Sequence, residues 1–286
     1  MRIASLVPSA TDLVAALGLA EHLVGVSHEC DHPAARGLPS LTRSRIPAAP
    51  ASPPAEVDRA VRDTVQAGES LYVADRALLA DLRPDLVLSQ AICDVCAVEG
   101  QAAREALPAG ARLLMVEATS LAGLETDVLR VAEAAGERER GAELVQRLMF
   151  ALDELRGDGG PRMLTLEWGD PPFIGGHWVP ELVELVGGTA ALGRAGAPSR
   201  RATWPEAHAS APEVVVFLPC GYRLEEAAAE ASRLEPLRAF ERPEWATDAP
   251  RLFSRCTPDA VVEGARTLAA IARGESPAAA AARRVL

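Results

Sequence analysis

The stretch "RIASLVPSATDLVAALGLAEHLVGVSHECDHP" (Arg2 to Pro33) decides the fold. It opens with the short apolar run RIASLV and meets Pro8 at once, so the run reads as a first strand. In ATDLVAALGL the apolar residues Leu13 and Leu17 and their neighbours recur at helical spacing. Ser9 is the predicted N-cap, and Asp12, three residues on, complements the positive helix end. HLVGVS then supplies a second apolar run, which breaks into His28, Glu29, Cys30 and Asp31.

The same alternation continues outward. A Pro-rich connection, PAAPASPPAE, leads into the helix-like AEVDRAVRDTVQAG. ALLADLRPDLVLSQ reads as helix, turn at Pro84 and buried strand, and ARLLMVE as another strand. Buried apolar runs alternating with helices predict a parallel sheet. Ser120 to Gly157 is helical throughout, with a break near Gly136. A second series follows, with strands at RMLTLEW and EVVVFLPC and a weaker one around RLFS. Between them lie the helix-like VPELVELVG, RLEEAAAEASRLEPLRAF and PDAVVEGARTLAAIARG. The expected fold class is α/β, with two lobes built on central parallel sheets and joined by one long backbone helix. The boundaries read as 1–119 for the first lobe, 120–157 for the connecting helix region and 158–274 for the second lobe, with 275–286 a frayed or helical tail.

With 286 residues the chain forms one large or two modest domains. Its net charge is -11 and it contains no lysine, so arginine carries all the fixed positive charge. That balance argues against a nucleic-acid partner, which needs a basic face. No run is long and apolar enough to span a bilayer. The N-terminus lacks the charged region, apolar core and cleavage site of a secretory signal. It therefore reads as cytoplasmic, or as a periplasmic or membrane-associated form in which Met1 has been added. Five cysteines without a dense framework predict reduced thiols rather than a disulfide scaffold.

In α/β sheets the ligand groups gather beyond the carboxyl ends of the strands. That rule selects Pro8 and Ser9, the run His28-Glu29-Cys30-Asp31, and Gln90 with Cys93 and Cys96 in the first lobe. In the second it selects Glu167, Trp168, Phe173, His177 and Trp178, then Cys220, Gly221 and Tyr222, then Phe253 and Arg255. If the lobes face each other, all of these line one cleft. Cys93-x-x-Cys96 fits half of a zinc site or a redox pair, and equally fits two small buried hydrophobes. Cys30, Cys93, Cys96 and His177 are the candidate metal ligands, and thiolate with imidazole suits zinc, iron or cobalt. Aromatics are scarce in this chain yet crowd the second-lobe loops, which suits a bulky ring-containing ligand; the alternative is that they cap that lobe's own core. Arg200, Arg201 and Arg255 are candidates for pairing with ligand carboxylates or phosphates, and solvation is the alternative for the first two. Neither a P-loop nor a G-x-S-x-G elbow is present, and no acid–base pair stands out by spacing.

The chain resembles the class III periplasmic solute-binding proteins, the family with the Fe/B12 periplasmic-binding domain. The resemblance rests on the opening stretch and on TRSRI, GESLY, LRPDLVLSQAICDVCAV, LEWGDPPFIGGHWVPELVELVGG, PSRRATWPE and VVVFLPCGY, from Arg2 to about Gly274. FSRCTPD (Phe253 to Asp259) departs from the family's pattern at Cys256 and Thr257, and RPEWATDAP before it is loosely matched. The resemblance implies two Rossmann-like lobes joined by a rigid long helix, with a ligand bound between them. It also implies a ligand set of cobalamin, haem and iron–siderophore complexes, a small molecule in each case. The leading expectation is a non-catalytic, monomeric binding protein for a corrinoid or other metal chelate, serving an ABC transporter permease. The alternative is a cytoplasmic metal-binding protein or enzyme that uses Cys, His and Glu residues, with zinc or iron as its metal.

Overall fold

The computed structural model describes residues 1–45, 54–67, 69–90 and 100–286. The chain divides into two compact units. The first is Met1–Ala118 with Ala122–Arg147, and the second is Thr119–Leu121 with Leu148–Leu286.

In the first unit, β1 (Ile3–Ser5) runs into α1 (Pro8–Ala16) and then β2 (Leu23–Gly25). Pro8 is the first residue of α1, one position ahead of the N-cap expected at Ser9. The N-cap, however, is Val7 and not Ser9: the extended backbone ends at Val7, two residues earlier, so Ser9 already lies inside the helix. The Ser9 side chain is thereby released for another partner. Next come β3 (Thr42–Ser44), α2 (Pro54–Gln66), β4 (Tyr72–Ala74), α3 (Arg76–Leu82) and β5 (Leu86–Gln90). Asp75 caps α3 by accepting from the Leu78 N–H at 3.0 Å. The helix ends at Arg83 in the left-handed conformation just before Pro84. After α4 (Gly100–Ala106), β6 (Arg112–Val116) completes a sheet of order β2-β1-β5-β6, parallel throughout. Its two inner strands are buried on both faces, which is why they read as unbroken apolar runs. β3 and β4 form a separate antiparallel pair. The segment read as one long helix with a break is two helices, α5 (Leu121–Ala135) and α6 (Arg138–Asp153). Gly136 separates them at φ 78°, a conformation glycine adopts without strain.

The second unit begins with β7 (Arg162–Gly169), β8 (Pro172–Ile174), α7 (Val179–Leu185), β9 (Thr189–Ala190) and β10 (Arg200–Arg201). It continues with α8 (Trp204–Ala209), β11 (Val214–Phe217), α9 (Leu224–Arg233), α10 (Glu235–Arg238) and β12 (Glu244–Thr247). Then come α11 (Ala249–Leu252), α12 (Pro258–Ala272) and β13 (Ala282–Arg284). β7, β11 and β12 are parallel, as expected, and antiparallel strands flank them: β8 then β10 on one side, β13 on the other. Leu164, Leu166, Val215 and Phe217 on the sheet bury against Ala227, Ala231, Leu237 and Phe240.

Two sequence expectations are corrected here. The weak strand around RLFS is the short helix α11, and the real strand lies just before it at Glu244–Thr247. Pro250 in the first turn of α11 and the Asp248 cap explain the helix. The tail is neither frayed nor helical. Ala282 to Arg284 add an edge strand, because the open side of β12 offers backbone partners that outweigh the helix preference of an alanine run.

Candidate functional site

At the carboxyl edge of the first unit's sheet the polar side chains bond to one another in series. Ser5 Oγ donates to the Val7 carbonyl at 2.9 Å, and Thr11 Oγ1 donates to Ser5 Oγ at 2.8 Å. Cys30 Sγ lies 3.1 Å from Thr11 Oγ1. Thr11 has one proton and Ser5 receives it, so in this contact the Cys30 thiol is the donor. Ser9 Oγ donates to Gln90 Oε1 at 2.9 Å, tying α1 to the end of β5. Pro8 is half-buried beside it.

His28 is held by the same logic. Thr42 Oγ1 donates to Ser27 Oγ at 3.0 Å and lies 2.7 Å from His28 Nδ1. Its proton is therefore already engaged, so Nδ1–H donates to Thr42 and a neutral imidazole keeps a bare Nε2. Nε2 is 3.3 Å from Glu29 Oε1, a pair that is ionic when the ring is protonated. The ring also packs against Tyr72 at 5.3 Å. Glu29 and Asp31 are open to solvent. Cys93 and Cys96 lie outside the described residues. Among those described, no group of three His, Cys, Asp or Glu side chains is placed to hold a metal ion.

The second unit's edge differs. Glu167 on β7 accepts from the Gly176 N–H at 3.1 Å. Burial pushes its carboxyl above the ordinary range, against the lowering effects of Ser199 and the Gly176 N–H. His177 sits at φ 53° and its backbone N–H donates to the Ala197 carbonyl at 2.6 Å. Its Nδ1 is buried without a partner, as is Nε1 of the adjoining Trp178, and burial lowers the His177 pKa. The two rings stack at 6.0 Å. Trp178, Tyr222 and Phe253 are buried, whereas Trp168 and Phe173 keep part of their rings exposed. Trp168 donates from Nε1 to the Asp170 carbonyl at 3.1 Å and meets Tyr222 edge-on at 5.3 Å. Arg201 lies over the Phe173 ring at 5.6 Å. Gly221 makes an exposed turn at φ 82° next to the exposed Cys220. Phe253 packs against Gly264 of α12, where any side chain would collide with its ring. Arg255 is half-buried.

No protein-family model and no curated protein matches the sequence. Solved structures do match, almost end to end. An ABC transporter substrate-binding protein from Listeria monocytogenes superposes with a TM-score of 0.70 at 15% identity, over 96% of this chain and 99% of the other. A periplasmic haem-binding protein from Pseudomonas aeruginosa gives 0.68 at 18%, over 99% and 97%. The periplasmic vitamin B12-binding protein BtuF of Vibrio cholerae gives 0.59 at 18%, over 96% and 98%. The chain has the class III periplasmic solute-binding fold.

Within that solute-binding fold, several residues at the two sheet edges escape a reading of the sequence alone. Thr42 and Tyr72, which hold His28, come from β3 and β4, where Thr42 faces Ala74 and Ser44 faces Tyr72. The available signal was that TRSRI and GESLY are short polar–apolar runs, each able to form half of a hairpin pair. Asp127 was also missed. It is buried on α5 and accepts the Glu117 and Ala118 N–H groups at 2.6 and 2.9 Å, closing the end of β6. Ser199 was passed over for its arginine neighbours. Only the close approach of the 197–199 segment to Gly176 shows that it borders Glu167.

Proposed function

We propose that this chain is a non-catalytic receptor for a corrinoid or other metal-chelate ligand, which it delivers to an ABC-type permease. The carrying observation is the end-to-end agreement with a fold whose solved examples include proteins for haem and vitamin B12. Among the described residues, neither sheet edge presents an assembled acid–base pair with a nucleophile. His28 is the candidate donor to the chelate's metal, because Nδ1–H is fixed on Thr42 and Nε2 is left to coordinate. Trp168 and Phe173 offer partly open aromatic faces to a flat ring system. On this reading the protein works as a monomer outside the cytoplasmic membrane.

The test is titration of the purified full chain with cyanocobalamin, haemin and a ferric siderophore, followed by absorbance and tryptophan fluorescence. Saturable one-to-one binding of one of them at about micromolar Kd or tighter is expected, with affinity surviving Cys93→Ser and Cys96→Ser. Stoichiometric zinc or iron lost in those two variants, with no affinity for any chelate, would overturn the proposal.

A further inference from the structure

Between Glu184 and Glu206 the chain carries three arginines, Arg194, Arg200 and Arg201, and no carboxylate, in a protein of net charge -11. Two of the three line one hollow of about 290 Å³ in the second unit, together with Ile174, Gly175, Gly193, Ala197 and Pro198. We propose that this hollow is an oxyanion subsite, which takes a carboxylate or phosphate arm of the ligand. The inference rests on the binding-protein reading above and names the chemistry that such a ligand must carry.

The three arginines are in different states. Arg201 lies over Phe173. Arg200 donates to Glu206 at 2.6 Å, so part of its guanidinium fork is occupied. The Arg194 carbonyl accepts from the Ala197 N–H at 3.0 Å, but its guanidinium makes no hydrogen bond or ion pair with any described residue. An unpaired guanidinium beside a second, half-engaged one is the arrangement that grips a planar oxyanion through paired N–H groups. Two of the lining positions have no room for a side chain: one at Gly193 would overlap the Gly175 carbonyl and one at Gly175 would overlap Thr165. His177, whose backbone N–H bonds to the Ala197 carbonyl in the lining, also keeps a buried Nδ1 without a partner. Purely solvated arginines would require neither a glycine-lined cavity nor a neighbouring orphan nitrogen.

The test uses two probes that need no knowledge of the whole ligand, citrate and inorganic phosphate, titrated into the full chain by calorimetry. Saturable binding of at least one is expected, and the tighter probe identifies the arm as carboxylate or phosphate. Arg194→Ala should weaken that binding by about tenfold and Arg194→Lys by less, since lysine keeps the charge without the fork. Glu206→Gln should tighten it, because Arg200 loses its competing carboxylate while Thr203 can still cap α8. No saturable binding of either probe, or identical affinity in wild type and Arg194→Ala, overturns the subsite. Chelate binding that persists in that case leaves the receptor reading intact. Anion binding without any chelate affinity overturns the receptor reading and keeps the subsite.

Discussion

The two units present the same architecture with opposite hydrogen-bond economies. In the first, the edge of an all-parallel sheet ends in closed chains: Cys30 to Thr11 to Ser5 to Val7, and His28 to Thr42 to Ser27. In the second, a mixed sheet ends in polar atoms left over: His177 Nδ1, Trp178 Nε1 and Ser254 Oγ are buried without partners. A buried donor or acceptor without a partner costs about 1–3 kcal/mol, so such atoms persist where a partner arrives from elsewhere. The first edge is thus preset, and on the proposed function the second is the one left for a ligand to complete.

The second unit's loops are also held by backbone lying directly on backbone, and this makes the largest expected effect. A side chain at Gly176 would overlap Ala197 to Ser199, the segment that shapes the arginine-lined hollow. Gly176→Ala should cost about 3 kcal/mol or more, since rigid backbone must move. At Gly37 in the first unit the space is open and φ is 78°, so Gly37→Ala should cost only about 1 kcal/mol of left-handed strain. Trp168, Trp178, Trp204 and Trp245 all belong to the second unit. Urea titration followed by tryptophan fluorescence therefore reports Gly176→Ala, and hydrogen exchange in the first unit reports Gly37→Ala. Equal costs would erase the contrast between the units.

The second unit carries its other unsatisfied group away from the site, at the start of β12. Glu244 is 1% exposed, neither carboxylate oxygen has a partner, and burial pushes its pKa up to about 7 despite the opposing charge of Arg238. In the unfolded chain the same carboxyl titrates near 4.5. Between those values the unfolded state releases its proton first, so stability falls as pH rises from about 4.5 to about 7. The loss is at most about 3 kcal/mol. Glu244→Gln should match the wild type at pH 5 and exceed it by about 2 kcal/mol at pH 8, read by the same fluorescence titration. Parallel pH profiles for the two proteins would place the carboxylate in contact with water.

What the sequence disclosed follows from how local each signal is. Ile3 to Ser5 and Leu86 to Gln90 are buried on both faces, so their apolar runs could be read without knowing their neighbours. Pro8 marked the end of the first apolar run, while the start of α1 was placed two residues too late. Ala282 to Arg284 misled because an edge strand is selected by the strand it joins, and that strand, Glu244 to Thr247, was itself assigned a few residues too late. The candidate site was legible as residue types and not as partners. His28 and Glu167 could be nominated from their positions after strands, whereas Thr42, Tyr72 and Ser199 act through contacts made 14, 44 and 32 positions away in the chain. Arg194 was missed because its significance lies in the lack of a partner, a property that only coordinates reveal.

The smallest effects separate a closed edge from an open one most cleanly. Thr11→Val keeps the side-chain shape but removes the acceptor of Cys30 and the donor to Ser5, so it should cost about 1–2 kcal/mol, seen as faster exchange of the β1 and β5 amides. Trp178→Phe removes an N–H that bonds to nothing in this structure, so the buried unit has no hydrogen bond to lose. The smaller ring leaves some volume unfilled, and relief of the orphan donor offsets it, so the net change in stability should stay within about 1 kcal/mol. Ligand affinity should nevertheless drop by about tenfold if that N–H is held for the ligand. A Trp178→Phe protein that is as destabilised as Thr11→Val and binds its chelate normally would show that Nε1 already has a partner in solution, and the second edge would then be as closed as the first.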